Sequence, residues 1–388
     1  MTILHIFPDE KFFDDVSNSF DKIEGIRNLY VYYSPDPNYQ FKYIKLHQKI
    51  IIETDKKKYL KLFSDKNIDV LFFHSLSKYY YNFITHADDI KVIIWWSWGY
   101  DLYQTNIINI ELYKPLTKSY LNTRNRELIL NSKINSSLLK NILQKIKMQI
   151  ASHFNTIIRP KVLSRIDYFV PVLPIEYELI SQSRFFKAKR FMERSNFSDF
   201  DESRVSNETP KSYGNILLGN SSTYTNNHLD IIENLQNIDI HNRNIIIPLS
   251  YGDKEYANIV KSKIDDKYVV LDKFIEYSEY DKLISSCSYA IYGAIRQQSM
   301  GNIYLCLLKG IKIFLYKDSL IYKQLEKDGY IVFTIDNDLS EKELSLPLSH
   351  DEMLHNQQIS RTIRERSGLS GLKKSLNQII KQTHKVSP

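Results

Sequence analysis

Between Tyr289 and Gly301 the chain reads Tyr-Ala-Ile-Tyr-Gly-Ala-Ile-Arg-Gln-Gln-Ser-Met-Gly, a strand-like run, a turn and the start of a helix-like run. In a parallel sheet such a turn lies at the carboxyl edge, where ligands bind. Backbone N–H groups at a helix start attract phosphate, Ser299 adds a hydroxyl, and Arg296 supplies a charge that neutralises a departing diphosphate. Two more turns close strand-like runs nearby. In Leu218-Gly219-Asn220-Ser221-Ser222-Thr223 the glycine permits close backbone approach and Asn220, Ser221 and Thr223 offer short polar groups; Pro248-Leu249-Ser250-Tyr251-Gly252 offers Tyr251 to a base or a sugar. Taken singly, each is also the composition of an ordinary capped turn. In the first half, Phe72-Phe73-His74-Ser75 and the run Trp95 to Tyr103 also end strands, which makes Asp101 and then His74 the candidates for a general base. A lone histidine after a strand is more often structural, and tryptophans are by default core.

Several chemistries lack their residues. The sequence has no P-loop, no G-x-G-x-x-G, no H-E-x-x-H and no G-x-S-x-G. Asp199-Phe200-Asp201 and Asp336-Asn337-Asp338 pair carboxylates in a way that suits a divalent metal, but both sit in polar, turn-rich sequence. The expectation is therefore no metal and no cofactor. Cys287 and Cys306 both lie in apolar stretches, which gives neither a disulfide framework nor a thiolate zinc site.

These turns need strands to carry them. Short apolar runs alternate with more polar helical stretches: Thr2–Phe7, Leu29–Tyr33, Val70–Phe73, Val92–Trp96 and Tyr168–Leu173, then Asn215–Leu218, Asn244–Pro248, Tyr268–Leu271, Tyr289–Tyr292, Ile311–Tyr316 and Ile331–Thr334. That rhythm predicts an α/β protein with two doubly wound parallel sheets in tandem. The polar stretch Ser195 to Tyr213 is the expected linker, with a first domain over 1–209 and a second over 210–371; a terminal helix over 372–388 is expected to pack back on the first. The 388 residues are 43% hydrophobic and 25% charged, which excludes a disordered chain and allows a sizeable core. A net charge of +7 suits phosphate-bearing ligands, anionic lipid or nucleic acid. No run is apolar enough to span a bilayer and the start does not read as a signal peptide. Ser136 to Ile166 reads as a basic amphipathic helix, and Arg184 to Met192 as a basic-aromatic cluster; both suit an anionic membrane surface.

The combination of Phe73-His74, Trp95, Trp98-Gly99 with Asp101-Leu102-Tyr103, Gly219-Asn220-Ser221 with Asn226 and His228, Pro248 with Tyr251, Glu276-Tyr277 with Tyr280, and Arg296-Gln297-Gln298 with Gly301 resembles one family. It is the TDP-N-acetylfucosamine:lipid II N-acetylfucosaminyltransferases, glycosyltransferase family 56, which transfer 4-acetamido-4,6-dideoxygalactose. The resemblance runs from about residue 70 to 316, and Ser136 to Arg194 departs from it. It implies a GT-B fold, two Rossmann-like domains facing a cleft, and a nucleotide-diphosphate sugar donor held by Gly219, Asn220, Ser221, Thr223, Pro248, Tyr251, Glu276, Tyr277, Arg296, Gln297, Gln298, Ser299 and Gly301. It further implies a lipid-linked saccharide acceptor at Trp98, Gly99 and Tyr103, with Asp101, His74 and Arg296 catalytic, and work at the cytoplasmic face of the bacterial inner membrane. A nucleotide-sugar epimerase is the nearest alternative and a nucleic-acid-binding protein a more distant one; the transferase reading expects no nucleic acid as partner.

If the basic helix meets an anionic bilayer, Lys140, Lys145 and Lys147 each contribute roughly 1 kcal/mol of attraction, falling off within a Debye length. Replacing all three by Glu is expected to weaken sedimentation with anionic vesicles sharply while nucleotide affinity is kept. Unchanged vesicle binding by the folded triple variant would rule out this segment as the anchor.

Overall fold

The computed structural model describes residues 1–383 apart from 11, 88–90, 104, 106, 133–157, 159, 196 and 198. Its described strands form two all-parallel sheets. The first has the order β3-β2-β1-β4-β5-β6-β7, from β1 (Thr2–Ile6), β2 (Arg27–Tyr33), β3 (Ile50–Glu53), β4 (Val70–His74), β5 (Val92–Trp96), β6 (Tyr168–Val170) and β7 (Lys189–Arg190). The second has the order β10-β9-β8-β11-β12-β13, from β8 (Asn215–Leu218), β9 (Ile245–Pro248), β10 (Tyr268–Leu271), β11 (Cys287–Tyr292), β12 (Lys312–Leu315) and β13 (Phe333–Thr334). This is the expected α/β class with two Rossmann-like sheets. Central strands are continuous apolar runs because both faces are covered: every residue of β4 and β11 is buried.

In each sheet the order reverses once, between β1 and β4 in the first and between β8 and β11 in the second. Such a switch point opens a crevice at the carboxyl ends of the two strands, because their connections leave in opposite directions. The turn after β8 starts at Gly219 and that after β11 at Gly293, so two of the three polar turns flank the second switch point.

The chain divides into two compact units, one of Met1–Asn109, Ile150–Phe200 and Ile363–Pro388, the other of Ile110–Gln149 and Asp201–Thr362. The first domain read over 1–209 thus gives up a segment to the second unit. The reason is local: Asp230, 7% exposed, accepts hydrogen bonds from the backbone N–H groups of Leu116 and Thr117 and from the Thr117 hydroxyl, at 2.8, 3.0 and 2.6 Å. These are donors at the start of the Pro115–Ser132 helix, which nothing inside that helix can satisfy. Arg124 further along pairs with Glu255 and Tyr224. The Leu369–Thr383 helix buries Leu372, Leu376 and Ile379 in the first unit's core beside Phe191 and Met192, and the Ser375 hydroxyl donates to the Phe191 carbonyl at 2.6 Å.

The basic amphipathic reading lies outside the described residues over 136–157; its end forms the Pro160–Arg165 helix, with Val162 and Leu163 buried. In the basic-aromatic cluster, Phe186, Ala188, Phe191 and Met192 are buried and only the flanking Lys189 and Arg190 form the exposed edge strand β7. Those apolar side chains face the core, leaving Phe185 as the partly exposed aromatic. Among the described residues no helix is long and apolar enough to cross a membrane.

Candidate functional site

On the second unit, the turns after β8, β9 and β11 are bonded to one another. Gln298 is the bridge: its amide donates to the Thr223 hydroxyl at 3.0 Å and lies 3.4 Å from the Asn220 side-chain oxygen, and its carbonyl accepts from the Thr225 hydroxyl at 2.6 Å. The Asn226 amide donates to the Ser221 carbonyl at 2.8 Å and the Thr223 hydroxyl at 2.9 Å, which fixes the curl of the 219–226 turn. The third turn joins through Ser222, whose backbone N–H and hydroxyl both donate to the Tyr251 carbonyl, at 2.7 and 3.0 Å. Gly252 there holds a φ of 122° and packs on the Ser222 backbone, a place and a conformation that exclude a side chain. The short hydroxyl and amide residues read from the sequence therefore form one network.

Ser299 stands at the start of the nine-residue Met300–Leu308 helix with a left-handed backbone, φ 61°, and its buried hydroxyl has no hydrogen-bond partner; the same is true of the Gln297 side-chain oxygen, though not of its backbone carbonyl. Arg296 is half-buried and donates to the Gln297 carbonyl at 2.8 Å. Pro248 ends β9 in pairing with Leu271, and Tyr251 beyond it is 62% exposed. Glu276 is exposed at the head of the Tyr277–Ser285 helix, and a side chain at Gly301 would meet only open space. Glu276 and Gly301 are not drawn into the Gln298 network. Phe274, 85% exposed just beyond β10 on the same edge, and the 110–126 segment escaped the sequence reading. An apolar residue in a polar turn was the signal for the first; no local pattern marked the second.

Two buried side chains line the floor of this edge. His228, 0% exposed, lies against Gly219 so closely that an added Cβ there would meet its Nε2 at 2.7 Å. Burial pushes His228 down to about 3, so the ring is neutral, and neither of its nitrogens has a partner. The Asn226 side-chain oxygen is likewise buried and unpartnered.

On the first unit, the carboxylate of Asp101 is 4% exposed and accepts from the N–H groups of Leu76 and Trp98 and from the Trp95 indole, at 2.8, 2.8 and 2.7 Å. It ties the turns after β4 and β5 together, and burial raises its pKa against these bonds. His74 is fully enclosed, stacked on Phe7 with centroids 3.5 Å apart, and its Nε2 lies 3.0 Å from His5 Nδ1. Both rings are held neutral by burial, which pushes His5 down to about 4 and His74 well below the ordinary histidine value. Tyr103, 6% exposed, donates to Glu176 at 2.9 Å, whose carboxyl burial pushes up to about 7. Trp98, next to Gly99 with its φ of 93°, is partly exposed and meets Phe12 edge to face. Of the three positions that the resemblance assigns to an acceptor, Trp98 and Gly99 lie just beyond β5 and Tyr103 is in the interior.

The paired aspartates are committed elsewhere. Asp199 belongs to the first unit and Asp201 to the second, where it caps a short turn through Ser203. Asp336 accepts from the Lys317 N–H, and Asp338 from the Thr334 N–H and hydroxyl. Among the described residues one trio of metal-ligand type clusters, Asp239, His241 and Glu341; all three are exposed, and Asp239 and His241 precede β9, at the opposite edge of the sheet.

Residues 182–360 match the family model of the 4-alpha-L-fucosyltransferases, glycosyl transferase group 56. The match takes in the three turns of the second unit and stops short of Phe73–His74 and Trp95–Tyr103. A comparison with curated protein sequences found no match. Among solved structures, a glycosyltransferase from Rickettsia africae is similar at a TM-score of 0.62 and 13% identity, covering 100% of this chain and 99% of that one. An alpha-glucosyltransferase in complex with UDP and DNA gives 0.53 and 12%, covering 98% and 99%, and AviGT4, a glycosyltransferase of avilamycin A biosynthesis, gives 0.51 and 7%, covering 100% and 98%. At such identities the structures speak for the fold. Together the family match and the fold mark the chain as a glycosyltransferase.

The buried histidines have a pH consequence. A histidine neutral in the fold and protonated when unfolded makes the unfolded state bind more protons between its folded pKa and about 6.5, so stability falls as pH falls through that window. For His228 the loss is about 1.4 kcal/mol per pH unit below 6.5, down to about 3. Urea unfolding between pH 7 and 5 is expected to show this slope in the second unit, and His228→Leu to flatten it. An equal slope in the variant would mean that His228 titrates normally.

Proposed function

We propose that the chain transfers a deoxy-amino sugar, 4-acetamido-4,6-dideoxygalactose or a related fucose-like sugar, from a dTDP or other nucleotide-diphosphate donor to a polyprenyl-diphosphate-linked saccharide at the cytoplasmic face of the bacterial inner membrane. The observation that carries the donor assignment is the junction of three turns at the carboxyl edge of β8, β9 and β11, with unpartnered polar atoms on Ser299 and Gln297 beside Arg296. The UDP in complexes of similar fold agrees with a nucleotide diphosphate.

In this reading the bond from the anomeric carbon to the diphosphate oxygen breaks as an acceptor hydroxyl attacks. The negative charge gathering on the leaving diphosphate is met by the Arg296 guanidinium and by the N–H groups at the head of the Met300–Leu308 helix. In an inverting reaction the acceptor proton goes to Asp101, ahead of the enclosed His74; burial makes Asp101 the stronger carboxylate base once a hydroxyl displaces one of its donors. A retaining reaction needs neither.

Arg296→Ala is expected to lower transfer at least tenfold, about 1.4 kcal/mol of transition-state stabilisation, with the fold intact. Normal turnover in the folded variant would remove Arg296 from the mechanism. The engaged carboxylates of Asp336 and Asp338 lead to a second expectation, that transfer persists in EDTA. Activity lost in EDTA and restored by Mg²⁺ or Mn²⁺ would overturn it.

A further inference from the structure

We propose that a polar cleft on the second unit, beside Ile295, receives the sugar of the nucleotide donor, and that Asp318, Lys118 and Asn122 recognise its hydroxyl and amide groups. This rests on the donor reading above and extends it to residues outside the three turns. The cleft has a volume of about 620 Å³ and is walled by the beginning of the Pro115–Ser132 helix on one side and by Ile295 and Asp318 on the other. Ile295 follows β11 and Asp318 follows the paired strand β12, so the wall stands at the carboxyl edge where ligands of such sheets bind. Arg296, the residue assigned to the diphosphate, is the immediate neighbour of Ile295. A sugar joined to that diphosphate therefore has this cleft within reach.

The lining decides the class of ligand. Lys114, Lys118 and Arg126 stand against Glu111 and Asp318, and two of the cations are already paired, Lys114 with Asp318 at 2.9 Å and Lys118 with Glu111. A second diphosphate would meet both carboxylates at short range and be repelled. A prenyl tail or a base needs apolar walls, and here these are limited to Tyr113, Pro115 and Ile295. A neutral sugar carries donors and acceptors together, which is what alternating carboxylate, ammonium and amide groups satisfy. Asp318 is held in place by Lys114, which also sits 4.2 Å over the Tyr316 ring, and one lysine does not fill the roughly four acceptor positions of a carboxylate.

The test compares two ligands on the full chain by calorimetry: dTDP alone, and dTDP-4-acetamido-4,6-dideoxygalactose. In Asp318→Asn and in Asn122→Ala the sugar nucleotide is expected to bind about tenfold more weakly, the scale of a hydrogen bond to a charged group, while dTDP binds as in the unaltered protein. Asn122 is exposed, so its variant keeps the test informative if Asp318→Asn unfolds. Equal binding of the sugar nucleotide, or equal loss for both ligands, would overturn the proposal. So would a rise in KM confined to the acceptor, which would give the cleft to the other substrate. If the unaltered protein binds neither dTDP, UDP nor their sugars, the donor reading itself falls, and this inference with it.

Discussion

The carbonyl oxygen of Asn226 occupies the place where a side chain on residue 293 would begin. Only glycine lets the turn after β8 and the turn after β11 meet backbone to backbone, and the rest of the edge follows from that meeting. Asn227, in a left-handed conformation with φ 51°, donates to the Gly293 carbonyl at 2.8 Å and to Leu112 at 3.1 Å, and accepts from the Lys114 N–H at 2.9 Å. One asparagine thereby holds the switch point closed and fixes the start of the 110–126 segment. Gln298 then spans the gap at hydrogen-bond distance from Thr223 and Thr225. Moving either turn outward by the width of a methyl group would break all of these contacts together.

How much of this was legible follows from range. Central strands are set by local composition: a run such as Val70–His74, buried throughout, has no other stable place than between two helical layers. Edge strands lack that signature. Ile50–Glu53 has a single buried residue and Lys189–Arg190 has none, so their pairing depends on neighbours that sequence alone does not supply. The polar turns were readable because Gly, Asn, Ser and Thr at strand ends have few other uses. The capture of the Pro115–Ser132 helix by Asp230 was not, since it joins residues more than a hundred positions apart through one carboxylate. Glu276 and Gly301 were named for their motif, and neither shows a contact that ties it to the network.

The first unit shows how burial redirects residues that look reactive. His5 and His74 face each other within an aromatic cage of Phe7, Phe20, Tyr30 and Phe72, where a charge would be costly and neutral rings pack well. Asp101 lies where a base was expected, yet three donors hold it, and its first task is to register two turns against each other. Residue type and strand-end position are what single out His74 and Asp101 in the sequence. Their chemistry is set by enclosure, which depends on side chains from four strands.

The chain enters the second unit, leaves it, returns over Asp201–Thr362, and ends on the first with the Leu369–Thr383 helix. Neither unit is a continuous piece of polypeptide. A fragment beginning at the polar stretch near residue 210 would carry Asp230 without Leu116 and Thr117, a carboxylate stripped of its three donors in a cavity meant for a helix end. A fragment ending there would expose the apolar groove that Leu372, Leu376 and Ile379 fill. During synthesis the first unit therefore cannot close its core before the Leu369–Thr383 helix, made after the whole of the second unit, becomes available to it.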